Sequence, residues 1–361
     1  MIRNLFIVLL FFSFFIDASE TKLRIKYEQQ FDFSGGASIS YLSYTPNGEF
    51  LIVSSNLANK VYLLSNAGDM KTLNIEEAID ENRVNAADKA LYFFAARNLH
   101  KISNQGELTI IPEAELPSSY GLDISPSGHY MLSSGYQLLK INALAQEPEP
   151  LGVYGFHPRD DFAMGYQVVS MQRDTSTWLF DKSELQVWSL SDAELINKIE
   201  VSGIVKSHKV LNEEYGVLMF NVDNEIQFWD YKKNELLDQP LRFEEEFSFG
   251  KWSERIWLAT NKELYEIQWQ DNHVRVESKY QTTVDELVNR LGHHNFSKSG
   301  RYALLEERRG DELSLKLYDL KDQPAEITTL PNSEVQFTLN PAKREIATYD
   351  YKDDTLRVYA F

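Results

Sequence analysis

An all-β fold made of short antiparallel sheets is predicted by three observations: a recurring strand pattern, its spacing, and the turn signals between the strands. Eight stretches carry nearly the same apolar and aromatic pattern, at 61–65, 99–103, 138–142, 185–190, 226–231, 264–268, 315–320 and 356–361. They recur about every 40 residues, which is the length of one four-stranded propeller blade. Strands that alternate with tight turns, and not with long helices, pair with their neighbours in the chain. The predicted architecture is therefore a single closed β-propeller of four-stranded antiparallel blades, with eight blades favoured and seven the alternative, because the repeat over 85–111 is thin.

Residues 1–19 stand apart from the repeats. Arg3 supplies a positive start, 5–16 is apolar apart from Ser13, and Ala18 and Ser19 precede Glu20. This is a secretory signal pattern, with an apolar run too short to span a bilayer. The expectation is a signal peptide at 1–19, a propeller domain at 20–361, and a secreted or periplasmic location without membrane insertion after cleavage. No Gly/Ser- or Pro-rich linker divides the remainder. Gln146-Glu147-Pro148-Glu149-Pro150 comes nearest, but strand-like sequence resumes on both sides of it.

The next segment, 23–33, alternates Leu23, Ile25 and Tyr27 with Arg24, Lys26 and Glu28. It precedes the first complete repeat, while the chain ends inside the eighth third strand at Phe361. The segment is therefore expected to supply the outermost strand of the last blade, which removes two exposed sheet edges at once.

Within the repeats, a turn precedes the second strand at Thr45-Pro46-Asn47-Gly48, Ser125-Pro126-Ser127-Gly128, Ser297-Lys298-Ser299-Gly300 and Asn340-Pro341-Ala342-Lys343. Proline presets φ at the first corner, and glycine or asparagine tolerates the left-handed conformation that closes such a turn. Apolar runs follow at 50–53, 130–132, 302–305 and 346–349. Short continuous apolar runs suit strands buried on both faces. The third strands end in Trp188-Ser189, Trp229-Asp230 and Tyr318-Asp319. With the turns at 125–128 and 297–300, and with Gly292-His293 ahead of a first strand, these pairs resemble the WD40-like propeller family. The resemblance covers nearly the whole mature chain and implies a propeller that binds another protein.

Two segments carry helical spacing. Val284, Leu287, Val288 and Leu291 lie on one helical face within 282–292, with Thr283 and Glu286 as a capping box and Gly292 as a stop. A weaker pattern runs over 74–81, where Asn74 can cap with Glu77 three residues on. A third segment, 154–165, reads as irregular. All three fall between the fourth strand of one repeat and the first of the next. Elaboration on one face is how repeat folds mark a binding side. The candidates for that face are His157, Arg159, Asp160, Asp161, Glu76, Glu77, Asp285, His293 and His294.

Composition narrows the function classes. The chain has no cysteine, which excludes disulfides, thiol catalysis and thiolate metal sites. Its 54 acidic and 36 basic residues give a net charge of −18, which disfavours nucleic acid. Glu244-Glu245-Glu246 is the tightest acidic run, and it reads as solvated surface. The adjacent His293 and His294 point to opposite faces of a strand, so alone they make a poor metal site. No nucleophile elbow, phosphate loop or zinc-helix motif is present. The six tryptophans fall in or beside strands and read as packing. No cofactor and no metal are called for. The reading is an exported monomeric scaffold that binds another protein; the alternative is a propeller hydrolase or lactonase with carboxylates or a metal in the central channel.

Overall fold

The computed structural model describes residues 23–31, 39–55, 59–75, 84–87, 90–95, 98–111, 123–125, 127–132, 137–141, 149–150, 162–173, 178–191, 194–212, 214–222, 224–244, 246–252, 255–271, 273–282, 286–287, 295–321, 324–330 and 335–361. Among them the strands form eight antiparallel sheets, seven of four strands and one of three. The first sheet comprises Ile39–Tyr44, Phe50–Ser55, Lys60–Ser65 and Met70–Asn74, and the second Val84–Ala87, Ala90–Ala95, Asn98–Ser103 and Leu108–Ile111. The third comprises Asp123–Ile124, Tyr130–Leu132, Gln137–Lys140 and Glu149–Pro150; the fourth holds Phe162–Arg173, Trp178–Ser189 and Leu195–Ser202. The fifth runs through Val205–Asn212, Val217–Val222, Glu225–Asp230 and Glu235–Arg242, and the sixth through Ser248–Trp252, Arg255–Ala259, Glu263–Gln270 and His273–Gln281. The seventh contains Glu286–Leu287, Tyr302–Arg309, Glu312–Asp319 and Ala325–Leu330. The eighth takes Val335–Leu339, Glu345–Asp350 and Thr355–Ala360 from the end of the chain. Its outer strand is Arg24–Gln30, paired antiparallel with Thr355–Ala360 from Arg24↔Ala360 to Gln30↔Thr355.

Burial follows position within a sheet. Val217–Val222 is buried at every residue and Phe50–Ser55 at all but the first, as second strands covered on both faces must be. Outer strands meet water: Glu235–Arg242 alternates exposed and half-buried residues, and Arg24–Gln30 is exposed except at Tyr27. The apolar core therefore lies between sheets. Ile52 and Leu63 of the first sheet pack with Leu91 and Phe93 of the second. The same arrangement repeats at each successive pair, ending with Leu304 and Leu317 of the seventh against Ile346 and Tyr359 of the eighth. An equivalent cluster joins the last sheet to the first, with Ala347, Tyr349, Leu356 and Val358 against Leu42, Leu51 and Val53. Phe31 lies in it, its ring 5.2 Å from that of Tyr62 and 6.5 Å from that of Tyr349.

The turn signals are explained by their hydrogen bonds. Ser125 and Ser297 accept from the amides of Tyr130 and Tyr302 at 3.0 Å each, and Thr45 from that of Phe50 at 3.1 Å. Gly48 closes its turn with φ +70°, where a Cβ would collide with the Asn340 side chain. Asn340 donates to the Gly48 carbonyl at 3.0 Å, so turns 292 residues apart in sequence interlock at the seam between first and last sheets.

The third-strand signature has a local cause as well. Over their described residues, seven of the eight recurring stretches fall in or just beyond the third strand of a four-stranded sheet; 185–190 falls in and just beyond the middle strand of the three-stranded one. Each Ser or Asp at such a strand's end accepts a backbone amide in the turn that follows. Ser103 accepts from Gln105 at 3.2 Å, Ser189 from Ser191 at 3.3 Å, Asp230 from Lys232 at 3.1 Å and Asp319 from Lys321 at 3.1 Å. The Trp-Asp pair at 229–230 is thus a buried ring followed by a turn cap.

Three expectations change. Glu286 and Leu287 form a short strand on Arg308 and Glu307, where the apolar spacing predicts a helix over 282–292. Ladder hydrogen bonds to the neighbouring strand outweigh a local helical period. Asn74 ends a strand, bonded across it to Lys60, and so is not a helix cap; 76–81 lies outside the described residues. Phe162–Gly165, read as irregular, opens the 12-residue strand Phe162–Arg173, with Ala163 and Met164 buried. Residues 1–22, including the expected signal peptide, also lie outside the described residues. No helix among the described residues is long and apolar enough to cross a membrane.

His208, on the first strand of the fifth sheet, meets the ring of Tyr166 edge-on at 5.9 Å across the junction with the fourth. Burial first, and then the Lys209 ammonium, hold its pKa down to about 4. The unfolded chain takes up this proton near the ordinary value of about 6.5, before the folded chain does. Its contribution to stability is therefore complete above that value and lost as pH falls towards 4. The expected result is a melting temperature that drops more steeply on acidification from about pH 7 to about pH 4.5 than in His208→Gln. Parallel thermal-shift profiles for the two proteins refute it.

Candidate partner-binding face

In a four-stranded antiparallel meander the turns alternate between two ends. First-to-second and third-to-fourth turns share one end. Second-to-third turns share the other with the connections between sheets. Glu76, Glu77, His157, Arg159, Asp160, Asp161 and Asp285 fall in those connections by sequence position, whereas His293 and His294 follow Glu286–Leu287, the first strand of the seventh sheet, and so fall within that sheet and not in a connection as expected; all nine lie outside the described residues.

The connection between the fifth and sixth sheets is described, and it carries a feature the sequence reading missed. Phe243 leaves the outer strand of the fifth sheet and donates its amide to the Asn224 carbonyl at 3.3 Å, which draws the connection over the adjoining turn. Its ring lies 5.0 Å from that of Phe247 and 5.9 Å from that of Tyr265; Phe247 and Phe249 are stacked at 6.5 Å. Strand register explains the grouping, because Phe249 pairs with Leu258 and Leu258 with Tyr265, placing all three on one side of the sheet. Beneath them lie buried Ile226, Phe228, Leu258 and Ile267. The four rings are only half-buried, so their outer surfaces meet solvent.

The charge around this patch is acidic. Glu244 and Glu246 are exposed on the connection itself. Glu263 accepts the Tyr265 hydroxyl proton in a hydrogen bond. Glu225 takes the Arg242 guanidinium at 2.6 Å and the Gln227 amide at 2.9 Å, and these two, Arg242 first, hold its carboxyl below the usual carboxylate range. Aromatic rings rimmed by carboxylates suit a cationic side chain with an apolar stem, which can rest on a ring while its charge meets an acid. The available signal was Phe243, three glutamates, Phe247 and Phe249, an aromatic frame around the acidic run on an inter-sheet connection. Trp229 and Trp257, by contrast, are buried, as expected of packing residues. Among the described residues, no three His, Cys, Asp or Glu side chains are grouped so as to hold a metal ion.

No family model and no curated protein matches this chain. Solved structures do. The structure of dihydro-heme d1 dehydrogenase NirN in complex with DHE aligns with a TM-score of 0.55 at 15% identity, over 84% of this chain and 69% of that one. The Dos1 propeller aligns with a TM-score of 0.50 at 11% identity, over 94% and 95% of the two chains. The β-propeller domain of Myceliophteria thermophila Cps50 (Swd1) aligns over 94% of this chain and 100% of that one, at 13% identity and a TM-score of 0.48. Four-stranded antiparallel sheets packed face to face, together with the likeness to the NirN structure and the Dos1 propeller, define the fold as a β-propeller. At such identities the likeness extends to the fold alone.

Proposed function

We propose that this chain is an exported, non-enzymatic β-propeller that works as a protein-binding scaffold through its inter-sheet connection face. The eight sheets are taken as eight blades of a closed ring of WD40-like type. Continuous packing from first to eighth sheet supports closure, as does the cluster that joins the eighth to the first. Trp229-Asp230 supports the WD40-like character. Export rests on the apolar segment at 1–19.

The observation that carries the binding role is the patch of Phe243, Phe247, Phe249 and Tyr265 with Glu244 and Glu246 at its edge. Half-exposed aromatics over a rigid core are the side chains that dominate interface energetics. The partner it fits presents basic residues beside apolar ones.

The test is affinity capture of the mature protein from its native envelope fraction, read by mass spectrometry. Glu244→Lys/Glu246→Lys changes only exposed side chains, so stability should stay within about 0.5 kcal/mol. The captured partner should nevertheless fall about tenfold or more, because like charges face each other in the complex. Lys298→Glu, on an exposed turn at the opposite end, should leave capture intact. Loss with Lys298→Glu and retention with the double variant overturns the choice of face. Metal-dependent hydrolysis of an ester or lactone by the purified protein replaces the scaffold reading.

A further inference from the structure

At the end opposite the connection face, a cleft of about 190 Å³ opens between the sixth and seventh sheets. Arg255, Trp257, Glu266 and Lys279 form its wall on one side, and Arg301 and Lys321 on the other. Glu266 is 1% exposed and takes the Arg255 guanidinium at 2.7 Å through one carboxylate oxygen. Its other oxygen, Oε2, faces the Lys279 ammonium at 3.3 Å but accepts no hydrogen bond. Trp257 is also 1% exposed, its ring stacked 4.7 Å from that of Phe296, and its indole N–H has no acceptor among the described residues. Two buried polar atoms of residues on one cleft wall, one donor and one acceptor, thus have no hydrogen-bond partner among the described residues, where buried polar groups are as a rule paired.

The charges add direction. Arg301 is held by Asp319 through contacts of 2.6 to 3.1 Å, whereas no ion pair engages the Lys321 ammonium among the described residues. Gly300, with φ +67°, lets the wall close up: a Cβ there would lie 2.6 Å from Arg255 Cδ and 3.2 Å from the Trp257 ring. Arg255 and Lys279 are shared with Glu266, and Lys279 also meets Glu277 at 2.7 Å, so with Lys321 the three cations exceed these two carboxylates by one charge in a chain of net charge −18.

We propose that the cleft binds a protonated phosphate group. The cations supply attraction for an oxyanion, and the Trp257 N–H supplies a fixed donor to one of its oxygens. The open oxygen of Glu266 requires a ligand that donates. Hydrogen phosphate carries both negative oxygens and an O–H, so it satisfies donor and acceptor together. Sulfate is fully deprotonated near neutral pH and leaves the Glu266 oxygen facing a second anion. The site should therefore separate two oxyanions of nearly equal size by the single proton that only one of them carries. Free phosphate and a phosphate monoester share this chemistry, but the monoester has lost most of its proton at neutral pH.

The experiment is isothermal titration calorimetry on the whole folded protein near pH 7. The probes are sodium phosphate, glycerol 3-phosphate and, at matched ionic strength, sodium sulfate. Saturable phosphate binding about tenfold or more tighter than sulfate is expected, the scale of one charge-assisted hydrogen bond. Tighter binding of phosphate than of glycerol 3-phosphate, which has lost most of its proton, is expected, and the reverse overturns the requirement for a donating ligand. Glu266→Gln replaces an acceptor with a side chain that also donates and should erase the preference over sulfate. Trp257→Phe keeps the stacked ring but loses the N–H, and Lys321→Ala removes one charge. Each should weaken phosphate binding several-fold, and both keep the idea testable if the Glu266 variant does not fold. Absence of saturable binding, or equal binding of phosphate and sulfate by the unaltered protein, overturns the proposal.

Discussion

A chain that begins at Ser34 should aggregate or melt far below one that begins at Leu23. The removed strand, Arg24–Gln30, is the outer strand of the eighth sheet, and its hydrogen-bonded pairing with Thr355–Ala360 joins the start of the chain to its end. Without it, Thr355–Ala360 becomes an edge with a row of unpaired amides and carbonyls, a template for pairing between molecules. Phe31 is lost as well, although it is 9% exposed and wedged between Tyr62 and Tyr349. So is the 2.6 Å ion pair of Lys26 with Glu345. Emptying the Phe31 site alone costs about 3 to 5 kcal/mol by analogy with buried Phe→Ala changes. At about 2 to 4 °C per kcal/mol, the loss of the whole strand should lower the melting temperature by about 10 °C or more. Size-exclusion chromatography and differential scanning calorimetry of the two chains measure this. A chain from Ser34 that stays monomeric with an unchanged midpoint shows that the strand is dispensable.

Trp229→Ala should be the most damaging single substitution. Trp229 is fully buried between the fourth and fifth sheets, among Leu185, Val187, Leu218 and Tyr231, whose ring lies 6.3 Å away. Its indole donates to the Asn234 side chain at 3.2 Å, and Asn234 holds the next turn with φ +60°. Truncation opens a cavity that rigid sheets on both sides cannot close, at a cost of about 3 to 5 kcal/mol. Trp229→Phe retains most of the packing and loses the hydrogen bond, for about 1 to 2 kcal/mol. Urea unfolding of both variants separates the two contributions. An alanine variant within about 1 kcal/mol of the parent would show that the space between these sheets collapses readily, contrary to the close packing of protein interiors.

Much of this fold is legible in the chain because its repeat is set by local chemistry. Thr45, Ser125 and Ser297 bond amides within their own turns, and Ser103, Asp230 and Asp319 cap the turns that follow them. Such residues recur wherever the turn recurs, so the period shows without any knowledge of tertiary contacts. Two-sided burial of second strands shows equally well, as in Val217–Val222. Helical spacing over 282–292 misled because Glu286 and Leu287 take their partners from Glu307 and Arg308, about twenty residues away, and local periodicity carries no information about such a partner.

The candidate sites were far less legible. Phe243, Phe247, Phe249 and Tyr265 make one surface only because two strands align Phe249 with Leu258 and Leu258 with Tyr265. Glu266 and Trp257 meet Lys321 in one cleft only because the sixth sheet packs on the seventh. By itself the sequence determined the all-β class, the sheet period, the turn positions and the role of 23–33, since these follow from alternation and turn chemistry within a few residues. Tertiary structure alone decided which aromatics reach solvent, which carboxylate keeps an open oxygen and which turns interlock across 292 positions. Those properties depend on register and on sheet-to-sheet packing, where one residue of slip turns every side chain to the opposite face.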